Sequence, residues 1–380
     1  MKLLFITYHY LNGNGGGVFA SRAYINAFAE LSDEMTLLCP MKDGAMPEHI
    51  NPKVKTILVW DCRGKVRKFF DLCIGRFNRF LHTEQYIGEN HYDVVVFDTS
   101  MVTRGIIRKF KQQGSKVITI HHNYQYEYFR DNEKHPKRWP TLFWTNIQER
   151  EAVRCSDLNL TLTQADKQLL AAHYGDGREN IQVLGTFEYK RKEHKVLPEV
   201  TEPHFLITGN LGAAQSEKSL LPWMDEYYPI LKDVFSNATL TLAGHSPSER
   251  LMEKARHYDI KVIPSPDSML PILAKAKYYI CATSLGGGIK LRVMDGLQAG
   301  LPVVCHAVSA RGYEAFVKKG LLLVYDDKKS FREQIEKLKK MQVNKIEIIA
   351  AYEEIFSFEN GKKRLREILE KVIYNMAVAD

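Results

Sequence analysis

Three consecutive glycines, Gly286 to Gly288, stand directly before Ile289, Lys290, Leu291, Arg292 and Asp295 in the stretch GGGIKLRVMD. Glycines leave backbone N–H groups open to a ligand, and the first turn of a helix carries N–H groups with no partner inside the helix. A helix beginning near Ile289 would aim those donors at an anion, with Lys290 and Arg292 adding positive charge beside it. Two phosphates of a nucleoside diphosphate match that arrangement in charge and in number of donors. Asp295, two helical turns in, is suited to accept both hydroxyls of a ribose, as acidic residues do in dinucleotide sites. The competing interpretation is a tight turn followed by solvated charges. The order of the parts favours the phosphate site.

A second glycine-rich stretch, NGNGGG at 12–17, separates the apolar run KLLFITY from a helix expected near Val18. Gly16 and Gly17 would let an anion or a sugar approach that helix start. The spacing is neither GxGxxG nor a phosphate-loop GK[ST]. His121 and His122 end the run KVITIHH, and strand alternation sends them to opposite faces, so either could be the one that faces a ligand. No Ser/His/Asp or Cys/His nucleophile set is evident, no Asp-x-Asp ends a strand, and a two-carboxylate hydrolytic pair is hard to place. The six cysteines show no CxxC or CxxH spacing, which argues against a zinc site or disulfide scaffold and fits a reducing cytoplasm.

These residues need strands and helices to hold them. Apolar runs at 2–8, 35–40, 55–60, 93–99, 116–122, 158–163 and 181–185 are continuous and rich in β-branched residues, as parallel strands covered on both faces require. Helical segments are expected between them, including 21–33 and 102–114. The polar, proline-containing stretch 186–204 interrupts the alternation. It restarts with strands at 204–210, 238–244, 260–264, 278–284, 302–307 and 321–326, and with helices at 217–235, 248–258, 268–276 and 289–299. The expectation is two Rossmann-like, doubly wound α/β domains facing each other across a cleft, with ligands beyond the carboxyl ends of the strands. The boundaries read as residues 1–186, a linker at 187–203, a second domain at 204–355, and a helix at 356–380 packing back towards the first domain.

At 380 residues, 45% apolar and 26% charged, the chain is long enough for two ordinary cores and is neither disordered nor membrane-spanning in composition. No apolar run approaches the length that crosses a bilayer. The net charge of +8 points to an anionic partner, either a phosphate, a nucleic acid or an acidic membrane. The basic residues are spread over helices and linker rather than interleaved with aromatics on one face, which argues against nucleic acid.

The pattern Gly286-x-Gly288-x-Lys290-x-Arg292-x-x-Asp295, followed by Ala299-Gly300-Leu301-Pro302-Val303-Val304, resembles the nucleotide-sugar motif of the retaining GT4 glycosyltransferases of the GT-B fold. The resemblance covers essentially the whole chain. Gly16-Gly17 is similar to the family's loop at the donor phosphates, and the Thr119–Asn123 strand end to its histidine facing the donor sugar. Lys218 is similar to a donor-binding lysine, and the loop holding Glu314 to one that reaches sugar hydroxyls. The resemblance implies transfer of a sugar from a nucleotide sugar to a hydroxyl of a glycan or lipid-linked saccharide, with retention and without a metal or cofactor. It implies His121, His122 and Lys290 as catalytic groups and a place in bacterial surface polysaccharide synthesis. One departure is specific: many members carry a glutamate where this chain has Gly287. A nucleotide-sugar epimerase of the same architecture and a non-catalytic basic binding protein are the alternatives.

Residues 64–81, GKVRKFFDLCIGRFNRFL, form a separate feature. Val66, Phe69, Phe70, Cys73, Ile74, Phe77 and Leu81 recur at helical spacing among Lys65, Arg67, Lys68, Arg76 and Arg79. Two readings compete: an amphipathic helix packed on its sheet, and one lying peripherally on an anionic membrane, as at the inner face of the cell membrane.

Overall fold

Continuous apolar runs become parallel strands here because each sheet is covered by helices on both faces and has no wet side. The computed structural model describes residues 1–13, 15–42, 44–76, 81, 91–133, 135–175 and 180–371. Within them the chain divides into two units. Met1–Arg191 and the described residues from Phe356 onward make the first, and Lys192–Ile355 the second.

The first unit opens with β1 (Lys2–Thr7), α1 (Gly16–Leu31), β2 (Glu34–Met41), β3 (Lys55–Trp60) and α2 (Lys65–Cys73). It continues through β4 (Val94–Asp98), α3 (Ile107–Gln112), β5 (Lys116–His121), α4 (Gln125–Asn132) and α5 (Arg138–Cys155). β6 (Leu158–Thr161), α6 (Gln164–Tyr174) and β7 (Ile181–Val183) complete its sheet, with strand order β3-β2-β1-β4-β5-β6-β7. The described strand pairings are parallel, so the order reverses between β1 and β4. Leu4, Ile6, Val95, Phe97, Phe110 and Val117 are fully buried in its core.

The second unit runs β8 (His204–Asn210), α7 (Ala214–Glu226), α8 (Tyr228–Val234), β9 (Thr239–His245), α9 (Glu249–His257) and β10 (Lys261–Pro264). Then follow α10 (Leu270–Leu273), β11 (Tyr278–Cys281), α11 (Arg292–Gln298), β12 (Val303–His306), α12 (Glu314–Lys318) and β13 (Leu322–Tyr325). The strand order is β10-β9-β8-β11-β12-β13, again parallel, with its reversal between β8 and β11. Phe205, Trp223, Tyr278, Tyr325 and Phe331 centre the core beneath it. α13 (Lys328–Lys340) and α14 (Lys345–Phe356) follow.

The last described helix, α15 (Phe358–Leu369), belongs to the first unit. Lys362 Nζ bonds Glu30 of α1 at 2.6 Å, and Arg364 Nε donates to Leu184 O at 3.3 Å. Of the sequence-stretch expectations, Asn14, Phe77, Arg79 and the part of the terminal helix at 372–380 lie outside the described residues.

Several boundaries differ from expectation. The helix expected from Ile289 begins at Arg292, and the chain before it is a tight turn closed by i→i+3 bonds from Val293 N to Lys290 O and from Met294 N to Leu291 O. The strand expected to reach residue 284 stops at Cys281. Beyond it the backbone leaves the ladder: Thr283 O accepts from Ser309 Oγ, and Ser284 N donates to Ser219 Oγ. The helix expected at 268–276 shortens to Leu270–Leu273.

Candidate functional site

β1 and β4 pair with Thr7 opposite Asp98, so the order reversal of the first sheet sets a hydroxyl beside a carboxylate. Asp98 is fully buried. Its Oδ2 accepts from Thr7 Oγ1 at 2.7 Å and from Ser21 Oγ at 2.5 Å, and its Oδ1 lies 2.6 Å from His122 Nε2. Burial alone would raise this carboxyl, but His122, His9 and Ser21 favour the ionised form, and the net position is about 2. An ionised carboxylate can only accept, so His122 Nε2 donates to it. The residue after Asp98, Thr99, is buried and has φ of 98°, a conformation non-glycine residues rarely hold.

His9, two residues past β1, completes the cluster. Its ring centroid is 5.3 Å from that of His122 and it stacks on Tyr8 at 4.4 Å. Burial lowers it to about 4, so it is neutral near pH 7. Its Nε2 is buried and has no hydrogen-bond partner among the described residues. Gly17 is what admits it: a Cβ there would lie 2.9 Å from His9 Cε1. Gly17 and Gly16 form the start of α1, and the N-cap, Gly15, has no side chain to cap it. His9, Asp98 and His122 bring their ligand atoms within 4.8 Å of one another, the only such trio among the described residues. Asp98 already spends both oxygens on Thr7, Ser21 and His122, so the trio is a hydrogen-bonded cluster rather than an open cation cage.

His121 goes elsewhere. It is fully buried, and its Nε2 meets Asn159 Oδ1 at 2.9 Å across β5 and β6. Burial holds it at about 4. The two neighbouring histidines therefore face different surroundings, one against the carboxylate cluster and one against an amide.

In the second unit the sheet reversal falls between β8 and β11, and the glycine loop leaves β11 at that point. The loop packs on the first turns of α7. A Cβ on Gly286 would lie 2.9 Å from Gln215 Nε2, and Arg292 NH2 donates to Ser216 Oγ at 3.1 Å. The Arg292 guanidinium lies against Gly209, where an added Cβ would lie 3.0 Å from its Cζ. Lys290 Nζ donates to Gly287 O at 2.8 Å, and Tyr313 Oη donates to Lys290 O at 2.9 Å, which ties down the stretch around Ile289 and Leu291. α7 runs over thirteen residues, and its N-cap, Ala213, supplies no side-chain cap. The helix whose first turn meets the loop is α7, and that end carries the positive pole of the helix dipole.

Asp295 Oδ2 accepts from Thr208 Oγ1 at 2.9 Å, next to Tyr279. Burial raises it to about 6 against the opposing pull of Thr208 and Arg292. Lys218 is exposed on α7, one turn beyond the residues that meet the loop. Glu314 is also exposed, and its Oε1 accepts from Gly312 N at 3.0 Å.

Two family models match the chain. Residues 14–187 match Glycosyltransferase Family 4, and residues 202–340 match Glycosyl transferases group 1. The chain belongs to the group 1, family 4 glycosyltransferases. Its fold is GT-B, as in the lipopolysaccharide outer core galactosyltransferase WaaB, at 15% identity and a TM-score of 0.64 over 98% of this chain and 100% of that one. Sucrose-phosphate synthase from Thermosynechococcus elongatus is similar at 12% identity and a TM-score of 0.70, over 98% and 99%. HepE from Anabaena, solved in complex with UDP-glucose, is similar at 14% identity and a TM-score of 0.62, over 98% and 100%. No curated protein sequence matches the chain at a significant level.

In this glycosyltransferase, sequence reasoning missed His9, Asp98, Thr7 and Ser21. A signal for Asp98 was present: a lone carboxylate ends an otherwise apolar strand in a parallel sheet, where ligands bind. His9 carried no comparable signal, because only the packing against Gly17 brings it in.

Proposed function

We propose that this glycosyltransferase moves a sugar from a nucleotide-diphosphate sugar to a hydroxyl of a glycan or lipid-linked saccharide, with retention at the anomeric carbon and without a metal. The observation that carries the donor assignment is the convergence at the β8–β11 reversal of the glycine loop, Lys290, Arg292 and the uncapped start of α7. The glycosidic C–O bond breaks towards the diphosphate while the acceptor oxygen bonds the anomeric carbon and passes its proton to the departing diphosphate oxygen. Negative charge grows on the diphosphate, and Lys290, Arg292 and oriented N–H groups are most effective against charge that accumulates there. Asp295 takes the ribose, with Lys218 and Glu314 as further donor contacts.

His122 is the catalytic histidine in this reading. Asp98 fixes its tautomer and steadies its protonated form, as a carboxylate does for an imidazole that must hold a hydrogen bond under changing charge. Gly16 and Gly17 supply backbone donors next to it. The solution of HepE with UDP-glucose supports a nucleotide-sugar donor, and the name of WaaB supports a role in surface polysaccharide synthesis. All six cysteines are unpaired, which supports a reducing, cytoplasmic location.

Calorimetry with a panel of nucleoside diphosphates and their sugars tests the donor assignment. Binding of at least one, lost in Lys290→Ala/Arg292→Ala, is expected. Failure of every nucleotide to bind overturns it. Retention is read from the anomeric configuration of the product by NMR.

A further inference from the structure

The two competing readings of the 64–81 segment differ in which face of the helix meets the protein, and in the described part that face is polar. The buried residue of α2 is Asp71. It accepts from Arg63 at 2.8 Å and pairs with Arg67 at 3.3 Å. Val66, Phe69 and Phe70 point outward, with Val66 86% exposed and Phe70 52% exposed. Together with exposed Cys73 they occupy positions i, i+3, i+4 and i+7, the apolar stripe of an amphipathic helix. A helix that covers a sheet buries that stripe. This one buries its carboxylate and presents the stripe to solvent.

The outward stripe has a neighbour. The end of α2 is fastened to α5, where Trp144 Nε1 donates to Cys73 O at 2.8 Å and Gln148 Nε2 donates to Gly75 O at 2.9 Å. α5 exposes Trp139, Phe143 and Ile147, one helical step apart at i, i+4 and i+8, with Trp139 72% exposed. Phe143 packs edge-on to Trp144 at 4.9 Å. Two helices joined side by side thus both turn large apolar side chains to solvent, which is uncommon on a protein that meets only water.

We propose that the outward faces of α2 and α5 form a surface that lies on an anionic lipid bilayer, with Phe69, Phe70, Trp139 and Phe143 entering the interfacial region. The choice of occupant rests on charge. Residues 61–76 hold five cations, Arg63, Lys65, Arg67, Lys68 and Arg76, against two carboxylates, Asp61 and the buried Asp71. Such a surface attracts anionic headgroups and repels a second copy of itself. Apolar side chains flanked by lysine and arginine are what an in-plane helix needs to be held both by burial and by charge. The anchoring does not depend on the donor assignment. Among the described residues no helix is long and apolar enough to cross a membrane, so the contact is peripheral.

The test is flotation of the full chain with vesicles of phosphatidylcholine alone and of phosphatidylcholine mixed equally with phosphatidylglycerol. The protein is expected to float with the anionic vesicles, less so as salt rises. Lys65→Glu/Lys68→Glu is expected to weaken that binding roughly a hundredfold, and Phe69→Ser/Phe70→Ser or Trp139→Ser/Phe143→Ser roughly tenfold each. The replaced side chains are exposed, so circular dichroism and melting temperature should match the parent. In the unsubstituted protein, lipids brominated on their acyl chains should quench tryptophan fluorescence, a readout that needs no variant. Absence of flotation, equal binding to both vesicles, or flotation indifferent to all three variants overturns the proposal. So does a dimer, seen by light scattering, that the same substitutions dissociate, since the face would then be covered by a second copy.

Discussion

The two sheets reverse their strand order at comparable places but fill those places with opposite materials. At the β1–β4 reversal, side chains bond to side chains: Asp98 is shared by Thr7, Ser21 and His122, and His9 is packed beside them. At the β8–β11 reversal, two glycines of positive φ meet the uncapped start of α7, and two cations line the loop. A closed network of buried polar groups is rigid and fixes the protonation state of its members. An open loop of N–H groups and cations is built to receive charge from outside. One sheet fixes a histidine against a carboxylate; in the proposed reaction the other holds an anion.

The largest effect expected from that division belongs to the glycine loop. Lys290→Ala/Arg292→Ala should lower kcat/KM by roughly a thousandfold and abolish nucleotide binding in calorimetry. The first unit should keep its melting behaviour, and the division fails if nucleotide still binds with its parent affinity.

The second effect is on stability and belongs to the first unit. His9 and His121 are held at about 4, below the ordinary histidine value, because burial disfavours their charged forms. A histidine lowered in the folded state contributes stability that is complete above the unfolded value of about 6.5 and is lost as pH falls towards 4. For fully buried His121 the loss by pH 4 is about 3 kcal/mol. Denaturant unfolding across that range should show the decline, and His121→Gln should flatten it.

Asp98→Asn comes next. It leaves the shape but lets the wrong nitrogen of His122 carry the proton, so kcat should fall roughly a hundredfold while nucleotide affinity stays unchanged. A variant that weakened nucleotide binding instead would erase the contrast between the two sheets.

The smallest effect concerns Asp295, raised to about 6 by burial. Hydroxyl groups of a ribose are accepted best by the ionised form. Nucleotide affinity should therefore rise roughly tenfold between pH 5 and 7, and Asp295→Asn should remove that dependence. The folded state itself holds this proton longer than the unfolded chain, so the same group costs stability as pH climbs from its ordinary range through 6.

The sequence by itself determined a good deal. Runs such as VVVF and LLFI state their strands locally, because a strand buried on both faces needs apolar residues at every position. Gly286, Gly288, Lys290 and Arg292 are neighbours in the chain, so their chemistry was legible without knowing the fold. In that stretch the helix start was misjudged, since a tight turn with i→i+3 bonds occupies the residues before Arg292. The choice between His121 and His122 was not legible. A period of two puts them on opposite faces but does not say which face meets a carboxylate. Asp98 lies 24 positions from His122, and Thr7 lies 91 from Asp98. Register across β1, β4 and β5 brings them together. The outward turn of α2 was equally hidden. Its stripe of Val66, Phe69 and Phe70 is the same whether it faces a core or the outside, and the direction was decided by the pairing of buried Asp71 with Arg63 and Arg67.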